Sequence, residues 1–134
     1  MMKLLFVGDF SVQCRSKKVF EDHQKAYQAL KEVKDVCDCH DFSIVNFESP
    51  ITNSDFKILK DGPSLKNPSN SVDVLKAIGF NVMMLANNHI KDYGNKGIHD
   101  TINICLQKNI KYVGAGINID EARKPLVLEH GGTK

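Results

Sequence analysis

The sequence predicts an α/β domain on a mostly parallel sheet, and three observations carry that reading. Short apolar runs alternate with segments of helical periodicity, as strands joined by crossover helices do. At 134 residues and 42% hydrophobic content, the chain is long enough to bury one sizeable core. It shows no internal repeat and no low-complexity segment, so a single unit is expected.

Leu4-Leu5-Phe6-Val7 reads as the first buried strand. Val19, Phe20, His23, Tyr27, Leu30, Val33 and Cys37 then recur at helical spacing, which predicts one long amphipathic helix from Ser16 to about Cys37. Ser43 to Phe47 is the second strand. Residues 51–70, rich in Asn, Ser, Gly and Pro, predict a long loop with a short hairpin around Asp61-Gly62; excursions of that length are often functional. A helix follows from Ser71 to Ile78, with Asn70 or Ser71 as its cap and Gly79 just beyond its end. Asn81 to Ala86 is the third strand. Ile98, Ile102, Cys105 and Leu106 mark a helix ending near Asn109, and Tyr112 to Gly114 is a fourth strand. Asp120 is placed to cap a turn over Glu121–Lys124, and Pro125 to Glu129 reads as a fifth strand. The terminal "VLEHGGTK" resembles a strand entering a hairpin turn, so residues 1–134 are expected to be the N-terminal part of a longer protein.

Composition narrows the function. Eighteen basic and sixteen acidic residues leave a net charge of +2, with the lysines dispersed, which argues against a charge-driven nucleic-acid or membrane surface. The apolar run near the N-terminus is too short for a signal peptide or a bilayer span, so a cytoplasmic location is expected. Four cysteines in such a chain are expected to be reduced thiols.

In a parallel α/β sheet, ligands collect at the carboxyl ends of the strands. Polar residues stand there after three of them: Asp9, then Asn46 and Glu48, then Asn87, Asn88 and His89. Oxygen donors and imidazole without thiolates suit a divalent cation such as Mg, Mn, Fe or Zn. Asn88 would then be a ligand and His89 a general acid, with Asp92 orienting His89 if the segment turns helically. The plainer reading of each residue is structural: Asp9 closes a turn, Glu48 caps the segment before Pro50, and the asparagines satisfy loop backbone through Asx-turns.

"VGDFS", "IVNFESPIT", "GFNVMMLANNHIKDYGNKGIHDTI" and "VGAGINIDEARKP" resemble, in order and spacing, the N-terminal half of the bacterial capsule-synthesis CapA family of poly-gamma-glutamate biosynthesis proteins. That family is similar in turn to the calcineurin-like metallophosphoesterases. The resemblance implies a metallophosphoesterase-like layering of sheet and helices. It also implies a metal-dependent hydrolase with Asp9, Glu48 and Asn88 on the metal and His89 as acid. Two departures are visible. Ser11 stands where the first superfamily motif usually has a histidine, and the later histidine ligands fall outside these residues. The implied substrate is an anionic polymer or a phosphoester, with capsule-assembly partners. The alternative is a non-catalytic protein that binds or assembles the polymer, which the serine favours. Lys57, Lys60 and Lys66 could meet an anionic substrate, although solvated loop lysines are the plainer reading.

Two other motifs are weaker. "CDCH", Cys37 to His40, lacks the second spaced ligand pair of a structural zinc site and reads as a helix end. "GAGIN", Gly114 to Asn118, begins like a dinucleotide fingerprint but has Ile119 at the third glycine and no long helix after it. Its glycines instead let backbone pass close to the strand-end edge.

Overall fold

The computed structural model describes residues 1–134, and its centre is a four-stranded parallel sheet in the order β1-β2-β3-β4. The strands are β1 (Leu4–Phe10), β2 (Phe42–Phe47), β3 (Val82–Met84) and β4 (Lys111–Val113). The helices are α1 (Ser16–Phe20), α2 (His23–Asp38), α3 (Ser71–Ile78), α4 (Gly94–Gln107) and α5 (Ile119–Ala122). Since every adjacent pair is parallel, all four carboxyl ends emerge on one edge. This α/β arrangement is consistent with part of a metallophosphoesterase-like fold.

One face of the sheet is dry. Val45, Phe47 and Met83 pack there against Val72, Leu75 and Ile78 of α3 and Ile102 and Cys105 of α4. Each such large apolar side chain contributes roughly 1.5–3 kcal/mol when fully buried. Phe42, Ile44 and Val82 form the core of the other face, covered by Leu126 and Leu128 of the C-terminal segment.

The register of β1 decides where its polar residue goes. Phe6 pairs with Ile44 and Asp9 with Asn46, so three steps along β1 match two along β2. The extra residue is a bulge at Val7-Gly8 that reverses the alternation of side chains. Asp9 therefore shares a face with Asn46, not with Leu5 and Val7, which pack toward the helices.

Several sequence expectations are corrected. The single helix over Ser16–Cys37 is two, because Asp22 leaves helical geometry and its carboxylate caps α2 by accepting from Gln24 N and Lys25 N. No strand forms around Asp61-Gly62; that stretch is a bend within the loop. Asn70 occupies the cap position of α3 but makes no capping bond: its Nδ2 donates to Phe20 O at 2.7 Å, and its Oδ1 is buried without a partner. Gly79 does terminate α3, at φ +114°. Asn118, not Asp120, caps the short α5 through Glu121 N at 2.9 Å. Pro125–Glu129 is no fifth strand: its leucines dock on the sheet face while its backbone stays outside the sheet. The turn after it does form, with Gly131 and Gly132 at positive φ and an antiparallel bridge from His130 to Thr133. No helix is long and apolar enough to cross a membrane.

Candidate functional site

Asp9, Asn46, Met84 and Val113 stand side by side in register across the four strands, close to their carboxyl ends. A cleft of about 470 Å³ runs along this row. Asn46 Nδ2 donates to Asp9 Oδ1 at 2.6 Å, which fixes that carboxylate and leaves its second oxygen without a protein partner. Gly114, at φ +90°, closes the far end of the cleft. A Cβ there would lie 2.6 Å from that of Ala86, so only glycine lets the two chains approach this closely.

Glu48 follows the end of β2, its own N–H donating to Phe10 O at 3.1 Å. The next residue, Ser49, is fully buried at φ +82°, a conformation rare for a residue with a side chain. Asn67 supports this turn from the loop: its Oδ1 accepts from Val12 N at 2.8 Å and its Nδ2 donates to Glu48 O at 2.9 Å. The Glu48 carboxylate makes no bond of the cap proposed from sequence; the turn is held by its backbone.

Beyond β3, the two asparagines divide their work. Asn87 is structural, accepting from His89 N at 3.1 Å in an Asx-turn and donating to Phe47 O at 3.0 Å. Asn88 is exposed and its side chain bonds to nothing in the chain. The turn carries Asp92 N back to His89 O at 3.0 Å, and the Asp92 carboxylate meets His89 Nδ1 at 2.7 Å.

Asp92 is wholly buried and the most heavily bonded side chain of the site. Burial alone would raise its pKa, but the Lys60 ammonium at 2.5 Å, the Leu65 N–H at 2.7 Å and His89 together hold it below the ordinary carboxylate range. An ionised carboxylate only accepts, so the proton on the shared contact belongs to His89 Nδ1. The Lys60 ammonium, 3.2 Å from that nitrogen, is then an electrostatic neighbour rather than a donor to it. His89 is thereby held as the tautomer whose Nε2 is free, with no partner in the chain and only 13% of the side chain exposed.

The structure thus joins His89 to Asp92, pairs Asp9 with Asn46, and leaves Asn88 and Glu48 with uncommitted side-chain oxygens. Sequence reasoning missed Asn67 and the bulge, and it weighed Lys60 only as a loop lysine. Lys66 instead donates to Ser54 O at 3.1 Å and lies 4.9 Å over the Tyr93 ring, while Lys57 is exposed. Of the "CDCH" stretch, Cys37 is buried and Cys39 exposed, and His40 Nδ1 meets Val36 O at 2.7 Å, as at a helix end.

The sequence matches a family model described as bacterial capsule synthesis protein PGA_cap over residues 3–134. The chain belongs to that family. It is 34% identical over 122 residues to the PGA biosynthesis protein CapA of Bacillus subtilis, covering 90% of this chain and 32% of that protein. Against the capsule biosynthesis protein CapA of Bacillus anthracis it is 30% identical over 136 residues, 99% of this chain and 33% of that one. A probable polyglutamine synthesis accessory protein of Mycobacterium tuberculosis is 35% identical over 92 residues, 68% of this chain and 24% of its own length. The chain therefore spans about a third of the length of the Bacillus relatives.

The chemistry of the donors fits part of a hard-metal shell. Asp9 offers one oxygen free of protein partners, and Glu48 and Asn88 offer side chains that no hydrogen bond occupies. Nowhere in the chain do three or more His, Cys, Asp or Glu side chains converge as a metal cage. Any ion held here would rest on two carboxylates, an amide and further ligands or water.

Proposed function

We propose that this member of the PGA_cap family is a metal-dependent hydrolase of the metallophosphoesterase type, acting on an anionic polymer or a phosphoester in capsule polymer biosynthesis. The observation that carries the reading is the Asp92-anchored His89, with Nε2 free, in the segment that follows β3 at the same sheet edge where β1 and β2 end in Asp9, Asn46 and Glu48. A histidine that served only packing would have no use for a buried, ion-paired carboxylate fixing its tautomer.

Asp9, Glu48 and Asn88 would hold a divalent ion such as Mn, Fe, Zn or Mg. When bound, such an ion supplies an activated water and stabilises charge on the attacked oxygen. The chain's own residues do the rest. Asp92 keeps Nδ1 protonated, so in the imidazolium form Nε2–H is the proton that can pass to a leaving oxygen, and the imidazole left behind retains its orientation. Lys60 balances the Asp92 charge, so the carboxylate holds the ring without taking its proton. Capsule-assembly proteins are the proposed partners.

A second reading, polymer binding or assembly without hydrolysis, is favoured by Ser11 in place of the usual motif histidine and by the absence of a three-residue His/Cys/Asp/Glu cage. Calorimetric titration of the chain with Mn²⁺ and with Zn²⁺, beside an Asp9→Ala variant shown by circular dichroism to be folded, separates them. The hydrolase reading expects about one ion per chain, lost in the variant. In protein shown to turn over a phosphoester, His89→Ala is expected to lower that turnover about a hundredfold or more with metal retained. A metal-loaded protein whose turnover ignores His89 would remove that residue from the mechanism.

A further inference from the structure

The centre of the 51–70 loop is held almost entirely by one residue. None of residues 53–65 is fully buried; Leu59 is wholly exposed and Phe56 lies beside Gly94 with most of its surface in solvent, so hydrophobic burial does little to fix the segment. Hydrogen bonds fix it instead, and those that reach beyond the loop all end on the His89–Asp92 turn. Ile58 N donates to Asp92 O at 3.0 Å, Leu65 N to Asp92 Oδ2 at 2.7 Å, and the Lys60 ammonium to Asp92 Oδ1, beside His89 Nδ1. The remaining bonds of the segment, such as Phe56 N to Ser54 Oγ and Lys66 Nζ to Ser54 O, stay inside the loop. The two ends of the loop are tied independently, by Ile51 N on Thr101 Oγ1 at 3.0 Å and by Asn67 N on Pro50 O at 2.9 Å.

Asp92 therefore has two duties on one carboxylate. It latches the centre of the loop, and it fixes His89 through the 2.7 Å contact to Nδ1. Burial links the two. With the loop down, Asp92 has no exposure and the His89 side chain only 13%, so their contact lies away from water, where an ionic hydrogen bond is strong. Lifting Lys60 and Leu65 removes two of the three groups that donate to the carboxylate and opens both oxygens to water. An exposed His–Asp pair holds its geometry only weakly. A loop tethered elsewhere could move and leave that contact dry; this one cannot, because its tether is the carboxylate itself.

We infer that residues 53–65 form a lid latched by Asp92, with Lys60 as a positioning residue for His89: the loop centre and the imidazole keep or lose their fixed positions together. The inference rests on the reading of His89 as the acid and adds the regulation of that acid. Whatever lifts the loop also releases the ring from its single tautomer.

The test is native-state amide hydrogen exchange on the ¹⁵N-labelled chain, with imidazole nitrogen shifts recorded beside it at a pH where the rings are neutral. Four amides report: Ile58 and Leu65 on the loop, His89, which donates to Asn87 Oδ1, and Asp92, which donates to His89 O. In the unaltered chain the four are expected to share one opening, with protection within about threefold of one another. Lys60→Met should lower the protection of all four by about tenfold or more and leave Ile51 and Asn67 as they were. It should also replace the Nδ1-protonated form of His89 by a mixture of tautomers. Lys60→Arg should recover part of both signals, and Leu59→Ser, at a wholly exposed position, should change neither. Neither readout uses metal or substrate, so a chain without hydrolase activity can still show the coupling, and an active one can lack it. The coupling is overturned if Lys60→Met frees Ile58 and Leu65 while His89 and Asp92 keep their protection and the ring its tautomer. Separate openings for the two pairs in the unaltered chain would overturn it as well, and that result depends on no variant being folded.

Discussion

Asp92 is without exposure yet stays ionised because three donors converge on two oxygens, and that has a consequence in acid. Its native pKa lies below the unfolded value of about 3.9, so at pH near and below 4 the unfolded chain binds the extra proton. The stability it contributes is complete above the unfolded pKa and is lost as pH falls through the native one. Asp92→Asn is expected to flatten the acid limb of a urea-midpoint-against-pH curve below about pH 5, and to cost about 3 kcal/mol at neutral pH by stranding Lys60 and His89. Asp100 behaves with the same sign: burial opposes ionisation, but Lys96 and Thr52 outweigh it, so some acid limb persists in the variant. Ser49 predicts the opposite kind of change. Its φ of +82° is strained, and its buried Oγ has no partner. Ser49→Gly should therefore raise stability by about 1 kcal/mol in urea unfolding, while a fall would show that the hydroxyl matters to the Glu48 turn. The Asp92–His89 contact was legible in the sequence because three residues of helical turn bring such positions together. Lys60 was not, since nothing local says where a lysine 32 positions earlier in a loop will point.

At the scale of elements, the 51–70 loop is an ordered strap rather than a free excursion. Thr101 Oγ1 accepts from Ile51 N at 3.0 Å at one end, Asn67 knits the other end to β1 and β2, and Lys60 and Leu65 reach Asp92 between them. The composition of Asn, Ser, Gly and Pro announced a loop but not its anchors, which are bonds between residues 19 to 55 positions apart. The span of helix α3 was readable, since its Gly79 stop is a local event, but its capless start was not, because Asn70 turns its amide to the distant Phe20 O. The break between α1 and α2 was hidden because apolar periodicity runs straight through Asp22. Gly114 tests the element that closes the strand-end cleft. Gly114→Ala places a Cβ 2.6 Å from that of Ala86 at φ +90°, and is expected to cost at least about 2 kcal/mol and to push β4 away from the end of β3. Amide exchange should then rise selectively in Val82–Met84 and Lys111–Val113. A uniform change across the chain would mean the close approach carries no local load.

Across the whole molecule the sheet has two unequal faces. α2, α3 and α4 bury one of them in a continuous core, while the other depends on Leu126 and Leu128 lying over Phe42, Ile44 and Val82 and still leaves Phe6 63% exposed. The sequence signalled the first face through its apolar runs. It misassigned the second, because an alternating Leu-Val-Leu segment satisfies a strand pattern as readily as it satisfies docking of two leucines without sheet hydrogen bonds. The two arrangements make different energetic demands. A fifth strand would draw stability from a ladder of backbone bonds that survives side-chain truncation, whereas the docked segment contributes chiefly the apolar area of its leucines. Leu126→Ala/Leu128→Ala should therefore cost about 2 kcal/mol, roughly the transfer energy of two half-buried leucines, and should release the segment entirely. Measured by urea unfolding with limited trypsin proteolysis beside it, the variant is expected to be clipped after Arg123, the Lys124-Pro125 bond being resistant, under conditions where the unaltered chain resists. Resistance retained in the double variant would show that backbone pairing, not leucine docking, holds this segment to the sheet.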